Sequence, residues 1–252
     1  MDKIKQSILE KIIYADIFDW PLREDEIFTQ IPNPKFQITK ALIKNKIISK
    51  KNNFYFLPGK ENLVKRRLQR ENWAQSKYEI AQKAANILKI IPTILLVGIS
   101  GGLAVGNVSQ NDDIDFFIVC ANNTLWTGRF FSLIILDLFG MRRHPKDKNF
   151  QDKICLNMFV DEIGFSDLKK ETDIYTQHEL QQLKIIWQRK AYFKNKTSFV
   201  ENFLKKLQLK YMQNKITSEK IEAHKLMFHP KDAKKLVLGK YQKKLLTLAK
   251  AF

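Results

Sequence analysis

Two apolar runs joined by a glycine-rich loop, the second run carrying a pair of acids, constrain this chain more than any other feature. TILLVGIS, residues 93–100, reads as a buried strand after the helix-ending Pro92, and Gly101 and Gly102 follow at once. Ten residues later come Asp113-Ile114-Asp115-Phe116-Phe117-Ile118-Val119, apolar except for the two acids. Residues i and i+2 of a strand point to the same side, so Asp113 and Asp115 project together. Like charges held side by side repel, and burial raises the cost. A cation between them removes the penalty, and ligation by paired carboxylates suits Mg²⁺. The plainer reading of Asp112–Asp115 is a water-exposed turn, against which the following FFIV places Asp115 inside a buried run. The loop SGGLAVGNVSQNDD supplies three glycines that let a backbone approach a phosphate closely.

The flanking sequence predicts the rest of a layered domain. Leu125–Leu138, LWTGRFFSLIILDL, is the longest apolar stretch, but it contains Arg129 and Asp137. It is too short to cross a bilayer core of about 30 Å, so it predicts a buried helix and no membrane partner. After the basic loop RRHPKDKNFQDK comes a third strand, KICLNMFV. Its only uncharged polar side chain is Asn157, expected on the face shared by Cys155 and Phe159. An Asn carbonyl can touch a cation, but it is neutral and cannot act as a general base. Asp161 has the same facing if the strand extends that far, and Glu162 lies just beyond.

N-terminal to this region, Ile4, Ile8, Leu9, Ile12 and Ile13 recur at helical spacing. Helices are then expected at Arg23–Gln30 and about Phe36–Asn45, followed by two β-prone runs around Lys50-Lys51-Asn52-Asn53. Helix, helix, helix and two-stranded wing is the winged-helix order, over residues 1–59. The third helix of such a module either enters a DNA groove or packs on another domain or protein; Lys35, Lys40, Lys44 and Lys46 permit the first, yet that helix has no Arg, the usual reader of guanine. Residues 60–92 predict a connecting helix whose Lys65, Arg66, Arg67 and Arg70 form either a solvated basic face or a phosphate-contacting patch. From residue 165 onward, apolar positions at helical spacing predict a C-terminal helical region extending to 252.

Charge adds a question rather than an answer. The formal net charge is +18, with both flanks basic and residues 93–160 neutral. That pattern suits a protein handling polyanions, including nucleic acid, but a lysine-rich solvated surface looks similar. A 44% hydrophobic content excludes a disordered chain. Two cysteines, Cys120 and Cys155, exclude a disulfide scaffold and lack the Cys/His spacing of a zinc site. No secretory signal is recognisable at the N-terminus, so a reduced, cytoplasmic location is expected. GxSxG, Walker and HExxH motifs are absent.

The segment running strand, Gly-Gly, ten residues, Asp-Ile-Asp resembles the signature of the polymerase-beta-type nucleotidyltransferase superfamily. The chain as a whole is similar to bacterial proteins described only as nucleotidyltransferase-domain proteins. The matching stretches are FYFLPG at 54–59, LAVGN at 103–107, DDIDFF at 112–117, DKICLNMF at 152–159 and YTQHEL at 175–180. The resemblance implies an α+β fold: an N-terminal winged helix, a nucleotidyltransferase mixed β-sheet with flanking helices over 93–164, and a helical C-terminal region. It implies that Ser100, Gly101, Gly102 and Asn107 bind the nucleotide and that Asp113 and Asp115 hold Mg²⁺ or Mn²⁺. The expected activity is transfer of an NMP group from an NTP, with ATP as the expected donor, to an unknown acceptor. The family's third carboxylate has no evident counterpart; Asn157 takes its catalytic place, with Asp161 and Glu162 as alternatives. The second functional reading is a catalytically impaired relative that binds nucleic acid or protein.

Overall fold

The Asn52-Asn53 pair shows how closely local chemistry sets the first unit of this chain. In the computed structural model, which describes residues 3–28, 40, 43–44, 46–172, 174–190, 220–227 and 233–249, both asparagines have positive φ, 48° and 62°. That is the requirement of a tight two-residue hairpin turn, and Asn tolerates it. The turn joins β2 (Ser49–Lys51) to β3 (Phe54–Phe56), and β1 (Leu22–Arg23) pairs with the other side of β3. The helices α1 (Lys3–Ile17) and α2 (Glu24–Phe28) precede the hairpin. The third expected helix falls mostly outside the described residues, where only 40, 43 and 44 are seen as helical.

The connecting helix is α3 (Asn62–Leu88), of which residues to Glu71 belong to the first unit and the remainder to the second. Its basic cluster is neither a uniform solvated face nor a free phosphate patch. Arg67 is only 2% exposed. Its guanidinium donates to Glu26 at 2.7 and 3.0 Å, to Glu71 at 2.8 Å and to the Pro21 carbonyl at 2.6 Å, and lies 3.7 Å from the Trp20 ring centre. Arg66 pairs with Asp19 at 3.4 Å. The first unit also includes the helix Ala233–Ala249, α8 in chain order. It meets α1 through Tyr14 and Tyr241, whose rings are 5.9 Å apart, and through an ion pair of Lys244 with the buried Asp16.

The second unit is a six-stranded sheet with helices on both faces. Its elements are β4 (Ile94–Ile99), α4 (Gly101–Val105), β5 (Ile114–Cys120), α5 (Leu125–Leu138), β6 (Ile154–Asp161), α6 (Glu162–Lys170), α7 (Ile174–Gln182), β7 (Lys184–Gln188), β8 (Lys220–Glu222) and β9 (Lys225–Met227). The strand order is β7-β4-β5-β6-β9-β8. Among the described strands only β5 and β6 run parallel, joined by α5 as the crossover that a parallel pair requires. On one face, Val97, Ile99, Ile114, Phe116, Ile118 and Phe159 pack with Ala81, Ala84 and Leu88 of α3 and Trp126 and Leu136 of α5. On the other, Phe117, Val119 and Val160 pack with Phe165 and Leu168 of α6 and Leu180 of α7.

The fold is therefore α+β, with its sheet where the apolar runs predicted strands. The helical C-terminal region does not hold as stated, because β7, β8 and β9 lie within it and complete the sheet. Each is three to five residues long, too short to register against helical spacing. The expected boundaries at 92 and 164 differ from the observed division, in which residues 72–232 form one unit. Among the described residues no helix is long and apolar enough to cross a membrane.

Candidate functional site

The two acids sit where β5 begins. Asp113 precedes the strand and Asp115 is its second residue. Asp112, by contrast, serves the turn: its carboxylate accepts from Ser109 N at 2.8 Å and Ser109 Oγ at 2.6 Å. The loop is fixed from beneath by Lys77 of α3, a lysine only 2% exposed. Its ammonium donates to the carbonyls of Gln110 (3.0 Å) and Asp112 (2.6 Å) and to Asp152 Oδ1 (2.6 Å). Three oxygens around one ammonium satisfy all of its donors.

The glycines are required by the geometry. Gly101 has φ +63°, and a Cβ there would stand 2.9 Å from Asp115 Oδ2. A Cβ on Gly102 would meet the Asn107 carbonyl oxygen at 2.4 Å. Asn107 N in turn donates to Gly102 O at 2.7 Å, closing the short turn of α4. Ser100 precedes that turn and its N–H donates to the Asp115 carbonyl at 2.9 Å. Ser100, Gly101, Gly102, Asn107 and Asp115 are thus brought into one neighbourhood.

The β6 residue beside the two aspartates is Cys155. In the β5–β6 ladder Asp115 pairs with Cys155, then Phe117 with Met158, so β6 carries one extra residue at 156–157. This irregularity breaks the two-residue alternation. Phe159 consequently packs with Ile154 and Leu156 on the α3 side, while Cys155 meets the two aspartates on the other. The expected common face of Cys155, Asn157 and Phe159 is therefore not formed, and Asn157 is a half-buried residue beside the bulge. Asp161 is buried and caps α6, accepting from Gly164 N at 2.9 Å, with His224 Nδ1 at 2.7 Å from its other oxygen. Glu162 accepts from Asn122 N at 3.2 Å on the surface. One donor atom each of Asp113, Asp115 and Cys155 lie within 4.8 Å of one another.

Electrostatics mark the same spot. Burial, reinforced by the Asp113 charge, pushes the Asp115 carboxyl up to about 7. Burial and then the two aspartates push the Cys155 thiol far above its ordinary range, and it hydrogen-bonds the Asp115 carboxyl. Arg143 donates to Asp113 Oδ2 at 2.5 Å and lies 4.5 Å from the Phe150 ring centre. Its basic neighbours are engaged elsewhere: Arg142 forms a two-pronged pair with Asp137 at 2.6 Å, and Lys153 reaches the Gly140 carbonyl.

A third acid near the pair was missed by sequence reasoning. Glu179 of α7 accepts a hydrogen bond from the Gly101 N–H, and burial raises its pKa. Its charge also reaches Asp115. Glu179 lies within YTQHEL, one of the stretches that carry the resemblance. No family model, curated protein or solved structure matches this chain. The site is read from its own chemistry.

That chemistry fits a divalent cation. A buried carboxyl with a raised proton affinity, Asp115, with a second carboxylate beside it and a glycine turn against it, is stabilised by positive charge. Arg143 supplies part of it to Asp113.

Proposed function

We propose that residues 72–232 form a metal-dependent nucleotidyltransferase that moves an NMP group from an NTP, ATP being the expected donor, to an acceptor of unknown identity. The observation that carries this reading is the pairing of Asp113 and Asp115 against the Gly101–Gly102 turn, where Gly101 meets Asp115 more closely than any side chain would allow. Asp113 and Asp115 would hold the cation, which supplies charge neutralisation at the phosphates. Gly101 and Gly102 would leave room for the triphosphate beside the pair, with Ser100 and Asn107 shaping the turn. Arg143, already within 2.5 Å of Asp113, is placed to offset phosphate charge as well. In the reaction an acceptor oxygen bonds to the α-phosphorus, the bond from that phosphorus to the pyrophosphate oxygen breaks, and the acceptor proton leaves to water. Positioning and electrostatics would provide most of the rate.

One observation favours a second reading, binding without turnover. A thiol lies where the resemblance implies a carboxylate, and Glu179 occupies the Gly101 N–H. Such a chain would sense nucleotide or grip nucleic acid through its basic flanks. Isothermal titration of the full chain with each NTP, with Mg²⁺ or Mn²⁺ and then with EDTA, separates the cases. Transfer predicts metal-dependent NTP binding that Asp113→Asn abolishes together with pyrophosphate release. Binding without pyrophosphate release across acceptors supports the second reading. No binding at millimolar NTP refutes both nucleotide readings.

A further inference from the structure

We infer that the cation site of the second unit uses Cys155 Sγ as a third donor and so takes a thiol-accepting divalent cation of the zinc or cobalt class in preference to Mg²⁺. The inference rests on the cation reading of Asp113 and Asp115 given above and specifies which cation they hold.

Three donor atoms, two carboxylate oxygens and one sulfur, lie within 4.8 Å of one another. Asp115 and Cys155 are paired on the adjacent parallel strands β5 and β6, with Asp113 immediately before β5. The extra residue at 156–157 leaves Cys155 directly opposite Asp115. A second observation points to a ligand at the same place. Ser100 lies one step beyond the Ile99–Phe116 pair of the antiparallel β4–β5 ladder, opposite Asp115. Directly opposite residues share a face of the sheet. Ser100 is 8% exposed and its Oγ has no hydrogen-bond partner among the described residues. An orphaned buried hydroxyl costs free energy unless something reaches it.

Mg²⁺ takes oxygen ligands and is bound reluctantly through sulfur, whereas Zn²⁺ accepts Cys sulfur together with Asp oxygen. Binding exchanges the S–H bond, now hydrogen-bonded to Asp115, for a metal–sulfur bond. The thiol proton is released to solvent, and no electron changes hands.

The test is an anaerobic titration of the full chain with Co²⁺, read by near-ultraviolet absorption, where a cobalt–thiolate bond gives a charge-transfer band that carboxylates alone do not. The expected result is a band that saturates at one equivalent, is displaced by Zn²⁺ and resists millimolar Mg²⁺. Cys155→Ser should abolish the band and weaken Co²⁺ binding by about tenfold or more, since even outer partners of a metal ligand are worth that much. Cys155→Asp should abolish the band while improving Mg²⁺ binding, and its uptake of Mg²⁺ shows that the variant is folded. Cys120→Ser should leave the band unchanged. Co²⁺ bound without a band, or a band that survives Cys155→Ser, overturns the role of Cys155 while leaving the carboxylate pair standing. Failure of the wild-type chain to bind any divalent cation overturns the carboxylate reading itself.

Discussion

Lys77→Met removes the ammonium under the metal-candidate loop while keeping the length and apolar stem of the side chain. Lys77 is 2% exposed and bonded to the Gln110 and Asp112 carbonyls and to Asp152. Breaking a buried charge pair from one side costs about 3–5 kcal/mol. Asp152 is itself 36% exposed and can recover water, which lowers that figure. The two carbonyls add back part of it, because an unsatisfied buried acceptor costs about 1–3 kcal/mol. A net loss of about 3 kcal/mol is expected, which for a unit of this size corresponds to about 6–12 °C in Tm at roughly 2–4 °C per kcal/mol. Scanning calorimetry measures the shift, and hydrogen exchange localises it: amides of 109–114 should lose protection before those of β4. A Tm within about 2 °C of wild type, with unchanged exchange in the loop, would refute the claim that Lys77 holds the acids in place.

Two further outcomes follow from the geometry. Gly101→Ala forces a side chain into a left-handed conformation, at about 1–2 kcal/mol, and puts a methyl 2.9 Å from Asp115 Oδ2. It should lower Tm in melting experiments and weaken cation binding in the same titration; unaltered values of both would show that the turn is not held as described. Burial alone would raise the Glu71 pKa, but hydrogen bonds from Arg23 and Arg67 outweigh it and hold the carboxyl below its ordinary range. The folded state thus binds this proton less readily than the unfolded state, so Glu71 stabilises the first unit above the ordinary carboxylate range and loses that contribution as pH falls below about 5. Glu71→Gln should flatten this acid limb in pH-dependent melts, and an unchanged limb would assign it to other carboxylates.

The parts of this fold that were legible in the sequence are those whose periodicity is long or whose turn chemistry is strict. TILLVGIS, DIDFFIV and KICLNMFV became β4, β5 and β6, LWTGRFFSLIILDL became α5 without a shift at either end, and Asn52-Asn53 became the hairpin turn. The edge strands were illegible because LysIleIleTrpGln and the 220–227 hairpin are too short to carry a period and depend on a neighbouring strand for their pairing. In the site, the Gly-Gly turn and both aspartates could be read because strand alternation and glycine sterics act locally. The neighbourhood of Cys155 was not legible because the carboxylates beside it come from another stretch of the chain, which cysteine-to-cysteine spacing does not report. The extra residue at 156–157 also defeats any alternation argument along β6. Glu179 and Lys77 enter from helices whose sequence does not mark which charged residue turns inward, since most of their neighbours face water.

The meeting of α8 with α1 has a consequence for the growing chain. Tyr14 and Asp16 find Tyr241 and Lys244 only after the whole intervening unit has left the ribosome. At about 5–20 residues per second the N-terminal helix waits roughly 10–40 s for that partner, long enough for an independent sheet domain to form first. The order of synthesis is thus inverted in the order of completion: the segment that precedes the sheet unit is finished after it, and during the interval Tyr14 and Asp16 lack their α8 partners.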